Sequence, residues 1–128
     1  MNTVITFAGN LTADPELRST TTGTPVLEMR VAVNRRIREG EEWKDAPPTF
    51  HNVKVWGPAA ENGAESLAKG DRVLVHGTLE TATWQTEGHD RSRDVVVVSE
   101  RFGEIGTSLR FATSLPAKTA KNENRTES

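Results

Sequence analysis

The chain has 128 residues, a length typical of a single domain. Its 16 lysines and arginines are outnumbered by 18 aspartates and glutamates, which excludes a uniformly basic coat for nucleic acid. The absence of cysteine excludes disulfide scaffolds, zinc ribbons and thiol catalysis. Because the N-terminus lacks a signal peptide and no apolar run is long enough to span a membrane, we expect a cytoplasmic protein without a membrane partner.

The first half of the chain is predicted to form three strands. Val4–Leu11 is apolar and β-branched, and Val26–Asn34 alternates between apolar and polar residues, as a half-buried strand does. Turn residues at Asp14–Glu16 separate these two strands. The third strand, Phe50–Trp56, follows a long polar excursion over Arg35–Pro48 that contains a glycine and two prolines as breakers.

The second half is predicted to form one helix and two strands. Pro58–Lys69 has proline in its first turn and Gly70 directly after it, as helices often do. The strands Arg72–Trp84 and Arg93–Arg101 follow, and Gly77 allows a bend or bulge in the first of them. This order is typical of the OB-fold, an all-β, five-stranded Greek-key barrel with one helix between strands 3 and 4 and long hairpin excursions. Other small barrels and sandwiches fit the same pattern.

Composition divides the chain into three parts. Residues 1–103 are expected to form the barrel, and residues 104–115 an extra strand or a segment packed on its surface. Residues 116–128 contain too few apolar side chains to offset the entropy of ordering them, so we expect a disordered tail.

The strand Phe50–Trp56 carries the clearest indication of function. Its alternation places Val53 and Val55 toward the core and leaves Phe50 and Trp56 on the opposite face, with Lys54 between them. Aromatic rings on such a face can stack on nucleobases while the lysine meets a phosphate. The alternative is that the two rings fill a second apolar cluster or a subunit interface.

Further aromatic and basic residues lie in the predicted hairpins. Trp84 ends a long strand, where it either joins a local cluster or offers a stacking platform, and Trp43 lies among charged residues where it can stack once ligand is present. Arginine pairs with phosphate in bidentate fashion, which suits a strand-tracking role for Arg35, Arg36 and Arg38. The alternative is a solvated arm whose charges are balanced by the glutamates that follow.

We find no signature of an enzyme. The three histidines, His51, His76 and His89, have no metal-ligand spacing, and neither a phosphate-binding glycine loop nor a nucleophile motif occurs. We therefore expect no catalytic residues, no metal and no cofactor. His51 falls on the core side of its strand, which favours packing or a subunit contact.

Four motifs follow one another along the chain: Gly9–Arg18 with Thr22-Gly23, Phe50–Gly57, Leu67–Val73, and Thr83-Trp84 followed by Gly88–Arg91. In this order and spacing they resemble the bacterial single-stranded DNA-binding proteins, and the resemblance covers Asn2 to about Val98. It implies an OB-fold homotetramer that binds single-stranded DNA without sequence preference. It also implies a role in DNA replication, recombination or repair, and a location at the nucleoid.

The resemblance also implies roles for individual residues. Phe50, Trp56 and Trp84 occupy positions where the family has aromatic residues that stack on bases. Lys69 occupies a basic position in the lysine-glycine turn of the family. The arginine-rich hairpin lies where the family grips DNA. A subunit contact of the family falls at His51, and the strand that pairs subunits falls at Thr3–Phe7, including Thr3 and Ile5.

Departures from the family pattern concern mainly charge. At a hairpin position where the family often has tryptophan, this chain has Ile37, and where lysine is common it has Pro58. The basic residues that the family often places before its last tryptophan are replaced by Glu80, Ala82 and Thr83. Residues 1–103 hold 12 basic and 15 acidic residues, whereas the family has a basic barrel and an acidic tail. We therefore expect weaker or less salt-sensitive binding that depends more on aromatic stacking.

The ending Asn124–Ser128 lacks the acidic tip with terminal phenylalanine through which the family recruits replication and repair enzymes. We therefore expect no recruitment through that tip, and a short paralogue with a specialised role. The missing cations motivate an alternative function, an OB-fold protein-interaction module of the replication machinery with weak DNA affinity. A second alternative, a hydrolase or nuclease on a small barrel, has no motif in its favour.

Overall fold

A computed structural model describes residues 2–114, which form seven strands and one helix. In chain order these are β1 Thr3–Leu11, β2 Glu16–Ser19, β3 Pro25–Glu39, β4 Glu42–Trp56, α1 Pro58–Ser66, β5 Arg72–Thr86, β6 His89–Val98 and β7 Glu104–Thr107. The predicted tail over residues 116–128 lies outside the described residues.

Five of the strands close into a barrel. They lie in the order β1-β3-β4-β6-β5, and pairing between β1 and β5 completes the ring. All neighbours are antiparallel except β4 and β6, which run parallel. In chain order the five barrel strands are β1, β3, β4, β5 and β6, and the helix lies between the third and the fourth of them. This confirms the predicted OB-fold. The short strands β2 and β7 extend the sheet beside β3 and β5.

The core fills the barrel with aliphatic side chains. Its fully buried members come from four barrel strands, namely Leu27, Val31, Val53, Val55, Val73, Val75, Val96 and Val98. Helix α1 packs on this core through the buried Ala60 and Gly63. A Cβ atom at Gly63 would lie 2.7 Å from a methyl carbon of Leu27, so glycine permits this close packing.

The predicted end of the helix at Lys69 is wrong. The helix ends at Ser66, because Leu67 adopts extended backbone angles while its N–H still bonds to the Gly63 carbonyl. Gly70, with φ of 90°, instead shapes the turn that leads into β5. No helix within residues 2–114 has the length and apolar character needed to cross a membrane.

The excursion over Arg35–Pro48 is a hairpin, as predicted, but β3 and β4 continue into it beyond the predicted strand ends at Asn34 and Phe50. Strands β3 and β4 remain paired as far as Glu39 and Glu42, with an irregularity between Val33 and Arg35. The two prolines lie opposite this irregularity, where their missing N–H groups cost no ladder hydrogen bond. The local breakers misled the prediction because pairing with the other strand overrides them.

The second hairpin is also longer than predicted. Strand β5 extends to Thr86 and β6 begins at His89, four residues before the predicted start at Arg93, and ends at Val98. The connecting residues Glu87 and Gly88 have φ of 53° and 79°, as a tight two-residue hairpin turn requires. The turn predicted over Asp14–Glu16 is wrong at its last residue, because Glu16 belongs to β2.

Candidate nucleic-acid interface

The outer face of the sheet formed by β3, β4, β6 and β5 carries several of the predicted aromatic and basic residues, among them Phe50, Lys54 and Trp84. In β4, Val53 and Val55 are buried in the core, whereas Asn52 and Lys54 point outward and Phe50 is 45% exposed. The alternation seen in the sequence therefore separates the two faces as predicted.

Strand register extends this outer face to the β5–β6 hairpin. Asn52 pairs with Val95, which is buried but does not belong to the core cluster. Two and four residues before Val95 along β6, Arg93 lies opposite Ala82 and Arg91 lies opposite Trp84. Directly opposed residues share a face, so both arginines and Trp84 lie on the same side of the sheet as Phe50.

In β6 the two aspartates and the two arginines lie on opposite faces of the hairpin. Asp90 and Asp94 point away from Trp84, where Gln85 and Thr81 donate hydrogen bonds of 3.0 Å to their carboxylates. The cations remain beside the tryptophan, which is 44% exposed. The distal part of this hairpin thus presents two arginines and a tryptophan on one side, although Glu80 lies further along the same face.

Sequence reasoning missed Arg91 and Arg93 as candidate binding residues. It looked for cations along the strand that precedes Trp84, whereas they lie on the strand opposite. The available signal was the alternation in His89–Val98, where basic residues at 91 and 93 alternate with aspartates at 90 and 94. The late predicted start of β6 concealed that alternation.

Arg30 is a second residue that the sequence reasoning did not select. Its guanidinium carbon lies 4.3 Å from the centre of the Phe50 ring, from the neighbouring strand. Such a cation stacked on an aromatic face is favourable. The other face of Phe50 remains available to a base.

The arginine-rich hairpin does not present its three arginines as one row. Arg38 lies opposite Trp43, and Arg36 lies opposite Asp45 at 3.7 Å, so these share one face. Arg35 points to the other face of the hairpin, with Ile37. Trp43 is 58% exposed beside Arg38, so one aromatic and one arginine are grouped at the tip.

Lys54 lies in a groove on the outer face and is partly engaged. Its Nζ is 3.8 Å from Glu28 Oε1, and Glu28 Oε2 is 3.5 Å from Arg18. Arg18 also donates a 2.7 Å hydrogen bond to Glu16, and these two carboxylates raise the pKa of Arg18, with the Glu16 hydrogen bond the larger cause. The groove is lined by Asp14, Glu16, Glu28, Arg30, Asn52, Lys54 and Arg93 among others.

Two predicted site residues, Trp56 and Lys69, lie apart from the groups around Phe50, Lys54 and Trp84. Trp56 is six residues from Phe50 on the same strand, about 20 Å away, half-buried in a groove with Pro58 and Glu100. Lys69 is exposed in the turn before β5, where its backbone N–H donates a 2.8 Å hydrogen bond to Asp14. Because Asp14 lines the groove of Lys54, this turn adjoins one end of the groove.

Comparison with known proteins identifies the family of this chain. A model of the single-strand binding protein family matches residues 1–104. The chain belongs to this family. Membership also confirms that the chain is not an enzyme, since the family consists of binding proteins.

The family relatives include bacterial proteins of greater length. The single-stranded DNA-binding protein of Paenarthrobacter aurescens is 44% identical over 126 residues, which cover 96% of this chain and 71% of the relative. That of Mycobacterium leprae is 45% identical over 124 residues, covering 94% and 71% of the two chains.

Two solved structures have the same fold. The small single-stranded DNA-binding protein from Streptomyces coelicolor matches with a TM-score of 0.67 and 30% identity, over 85% of this chain and 96% of that one. A Plasmodium falciparum SSB in complex with single-stranded DNA matches with a TM-score of 0.75, over 84% of this chain and 95% of that one. At 23% identity the second match supports the fold alone.

The predicted subunit contacts of this family member lie on the opposite side of the barrel. Strand β1 pairs with β5 from Thr3 to Asn10 but with β3 only at its last two residues. Within residues 2–114 the other edge of β1 is therefore open over Thr3–Gly9. Ile5 is half-buried against the core on this strand, and Phe7 packs against the His51 ring with centres 4.3 Å apart.

An apolar surface adjoins that open edge. Val4 and Leu74 are 50% and 52% exposed on the outward side of β1 and β5, and Phe102 is exposed nearby, lining one groove with Val4. On the same side His76 contacts Thr6 Oγ1 at 2.6 Å. No group of three histidines, aspartates or glutamates within residues 2–114 is arranged to hold a metal ion.

Proposed function

We propose that this protein binds single-stranded DNA without sequence preference, through base stacking combined with phosphate pairing on the outer face of β3, β4, β6 and β5. The observation that carries the proposal is the grouping of Trp84 with Arg91 and of Phe50 with Arg30 on one side of one sheet. Relatives named as single-stranded DNA-binding proteins support it.

The chemistry of this face explains the absence of sequence preference. Every base has an aromatic face, so stacking tolerates any base and contributes about 1–3 kcal/mol per ring. Arginines beside the rings meet the phosphates that flank a stacked base. A duplex hides its base faces in the helical stack, so it cannot use Phe50 and Trp84 in this way.

Binding is expected to depend less on salt than a basic barrel would require. Several cations on or near the face already contact carboxylates, as Lys54 contacts Glu28 and Arg36 contacts Asp45. Each phosphate neutralised on a single strand steepens the log–log salt dependence by about 0.7. Because these paired cations must first leave or share their carboxylates, we expect a shallower slope than a fully basic barrel gives, with stacking as the larger contribution.

Tryptophan fluorescence tests the proposal directly. Poly-dT should quench the protein, and Phe50→Ala should lower affinity by about 1–3 kcal/mol while leaving all three tryptophans as reporters. Phe111→Ala is the matched control, because Phe111 is exposed in the segment after β7. Absence of quenching at low salt, or an equal loss in both variants, would contradict the proposal.

We also propose that the protein assembles as a homotetramer. The open edge of β1 at Thr3–Gly9 can pair with the same strand of a second copy, and His51 lies beside it through Phe7. The apolar side formed by Val4, Leu74 and Phe102 can then pack two such dimers together. Sedimentation of the free protein at micromolar concentration tests this, and a monomeric mass would contradict it.

Such an assembly would protect exposed strands during DNA replication, recombination or repair, and DNA binding would place it at the nucleoid. The alternative, an OB-fold protein-interaction module with weak DNA affinity, draws support from the carboxylates of Glu16 and Glu28 on the outer face. A protein partner seated across Phe50 and Trp56, together with no response to poly-dT, would favour that alternative.

A further inference from the structure

One row of side chains across β2, β3 and β4 has an unusual charge order for a DNA-binding face. Glu16 lies opposite Glu28, and Glu28 lies opposite Lys54, so one carboxylate stands between another carboxylate and a lysine. Like charges directly opposed across strands are destabilising, yet here Arg18 bridges the two glutamates. The carboxylate of Glu28 therefore has one oxygen toward Arg18 and the other toward Lys54.

We propose that the Glu28 carboxylate is a built-in competitor of the DNA phosphate, which withholds Lys54 from the bound strand and so lowers affinity and salt sensitivity. This inference rests on the proposed function of the outer face. It makes Glu28 a residue that sets binding strength by its contact with a cation rather than by contact with DNA.

The position of Lys54 explains why its engagement matters. It lies on the outer face between Asn52 and Trp56, each about 7 Å away along β4. A strand that crosses from Phe50 toward Trp56 has to pass this lysine. An unpaired ammonium there would meet a phosphate between the two stacking positions.

The geometry of the pair indicates competition rather than a permanent block. The separation of 3.8 Å between Lys54 Nζ and Glu28 Oε1 is longer than a direct charge-assisted hydrogen bond. Both side chains are about one-third exposed, at 32% and 31%, so phosphate has access to the lysine. A phosphate that binds Lys54 must then displace, or share the cation with, the carboxylate.

The other carboxylates of the hairpins that have a polar partner lie outside this groove. Asp90 and Asp94 point to the opposite face, where neutral side chains hold them. Asp45 pairs with Arg36 on the mostly exposed hairpin. Among the ion pairs of residues 2–114, the one between Glu28 and Lys54 joins an acid to a predicted phosphate ligand within the groove.

The test compares Glu28→Gln with the wild type on labelled dT oligonucleotides over a range of NaCl concentrations. One unit charge removed at about 6 Å in water corresponds to about a threefold gain in affinity at low salt. Release of Lys54 should also make the log–log salt slope steeper by about 0.7. Glu65→Gln, the same charge change on the exposed face of α1, should leave both quantities unchanged.

A Lys54→Gln background separates the mechanism from simple repulsion. If Glu28 acts by withholding Lys54, the gain from Glu28→Gln disappears when Lys54 is absent. A gain that persists in this background, or no gain in the single variant, overturns the inference. Wild-type binding to dT that is lost in Phe50→Ala would still support the proposed function, so the two failures are distinguishable.

Discussion

Replacing Arg91 and Arg93 with glutamine tests whether the strand opposite Trp84 supplies the phosphate contacts of this protein. Both side chains share the outer face with Trp84, and neither forms a salt bridge within residues 2–114. They are therefore free to neutralise phosphate without first breaking an internal pair. The double variant should bind more weakly, and the loss should be largest at low salt.

The structure sets the size of this effect. If each arginine neutralises one phosphate, their removal makes the log–log salt slope shallower by about 1.4, which is twice the roughly 0.7 of one single-strand phosphate contact. Between 50 and 200 mM salt, about a fourfold change, such a slope difference alters the affinity ratio of wild type to variant by about sevenfold. The two proteins should therefore converge as salt is raised.

Anisotropy of a labelled dT oligonucleotide, titrated at several salt concentrations, measures both slopes. Arg101→Gln is the matched control, because Arg101 lies exposed in the turn between β6 and β7, away from the outer face. An unchanged slope in the Arg91→Gln/Arg93→Gln variant would refute the assignment. An equal change in Arg101→Gln would show that net charge, rather than position, determines the effect.

Three further variants test stacking, the barrel and assembly. Trp84→Ala should weaken oligonucleotide binding by about 1–3 kcal/mol in the same anisotropy assay without lowering the urea midpoint, because the ring is 44% exposed. Gly77→Ala should destabilise the fold by about 1–3 kcal/mol in urea unfolding, since the added Cβ would lie 2.6 Å from the Val97 carbonyl oxygen. Leu74→Lys should shift sedimentation to a smaller species while the monomer stays folded, since Leu74 is half-exposed. Unchanged sedimentation would remove Leu74 from the proposed interface, and full stability of Gly77→Ala would contradict the close approach.

Gly77 also shows why the fold was predictable while some boundaries were not. At Gly77, where the sequence allows a bend or bulge, β5 changes partners, from β7 at Val73–His76 to β6 from Thr78 onward. Local sequence indicates that a glycine permits close approach. It does not indicate which strand approaches, because that strand lies far away in the chain. The predicted hairpin lengths were wrong for the same reason, because pairing between β3 and β4 continues past the prolines and as far as the turn at Gly40.

The candidate site was likewise predicted only in part. Alternation within β4 predicted correctly that Phe50, Asn52 and Lys54 share the face away from the core. It did not reveal that Arg30 covers one face of the Phe50 ring. That contact joins two strands, and its geometry follows from their register.

Local periodicity and motifs of fixed spacing were sufficient to predict the strand faces, the place of the helix in the strand order and the family. Which charges meet depends instead on the pairing of strands that are distant in the chain. Arg91 lies beside Trp84 and Glu28 lies beside Lys54 because of pairing register. A one-residue slip would move each side chain to the opposite face. The net charge of −2 therefore says little about binding, since strand register decides which carboxylates lie beside a cation, as Glu28 does, and which point away, as Asp90 and Asp94 do.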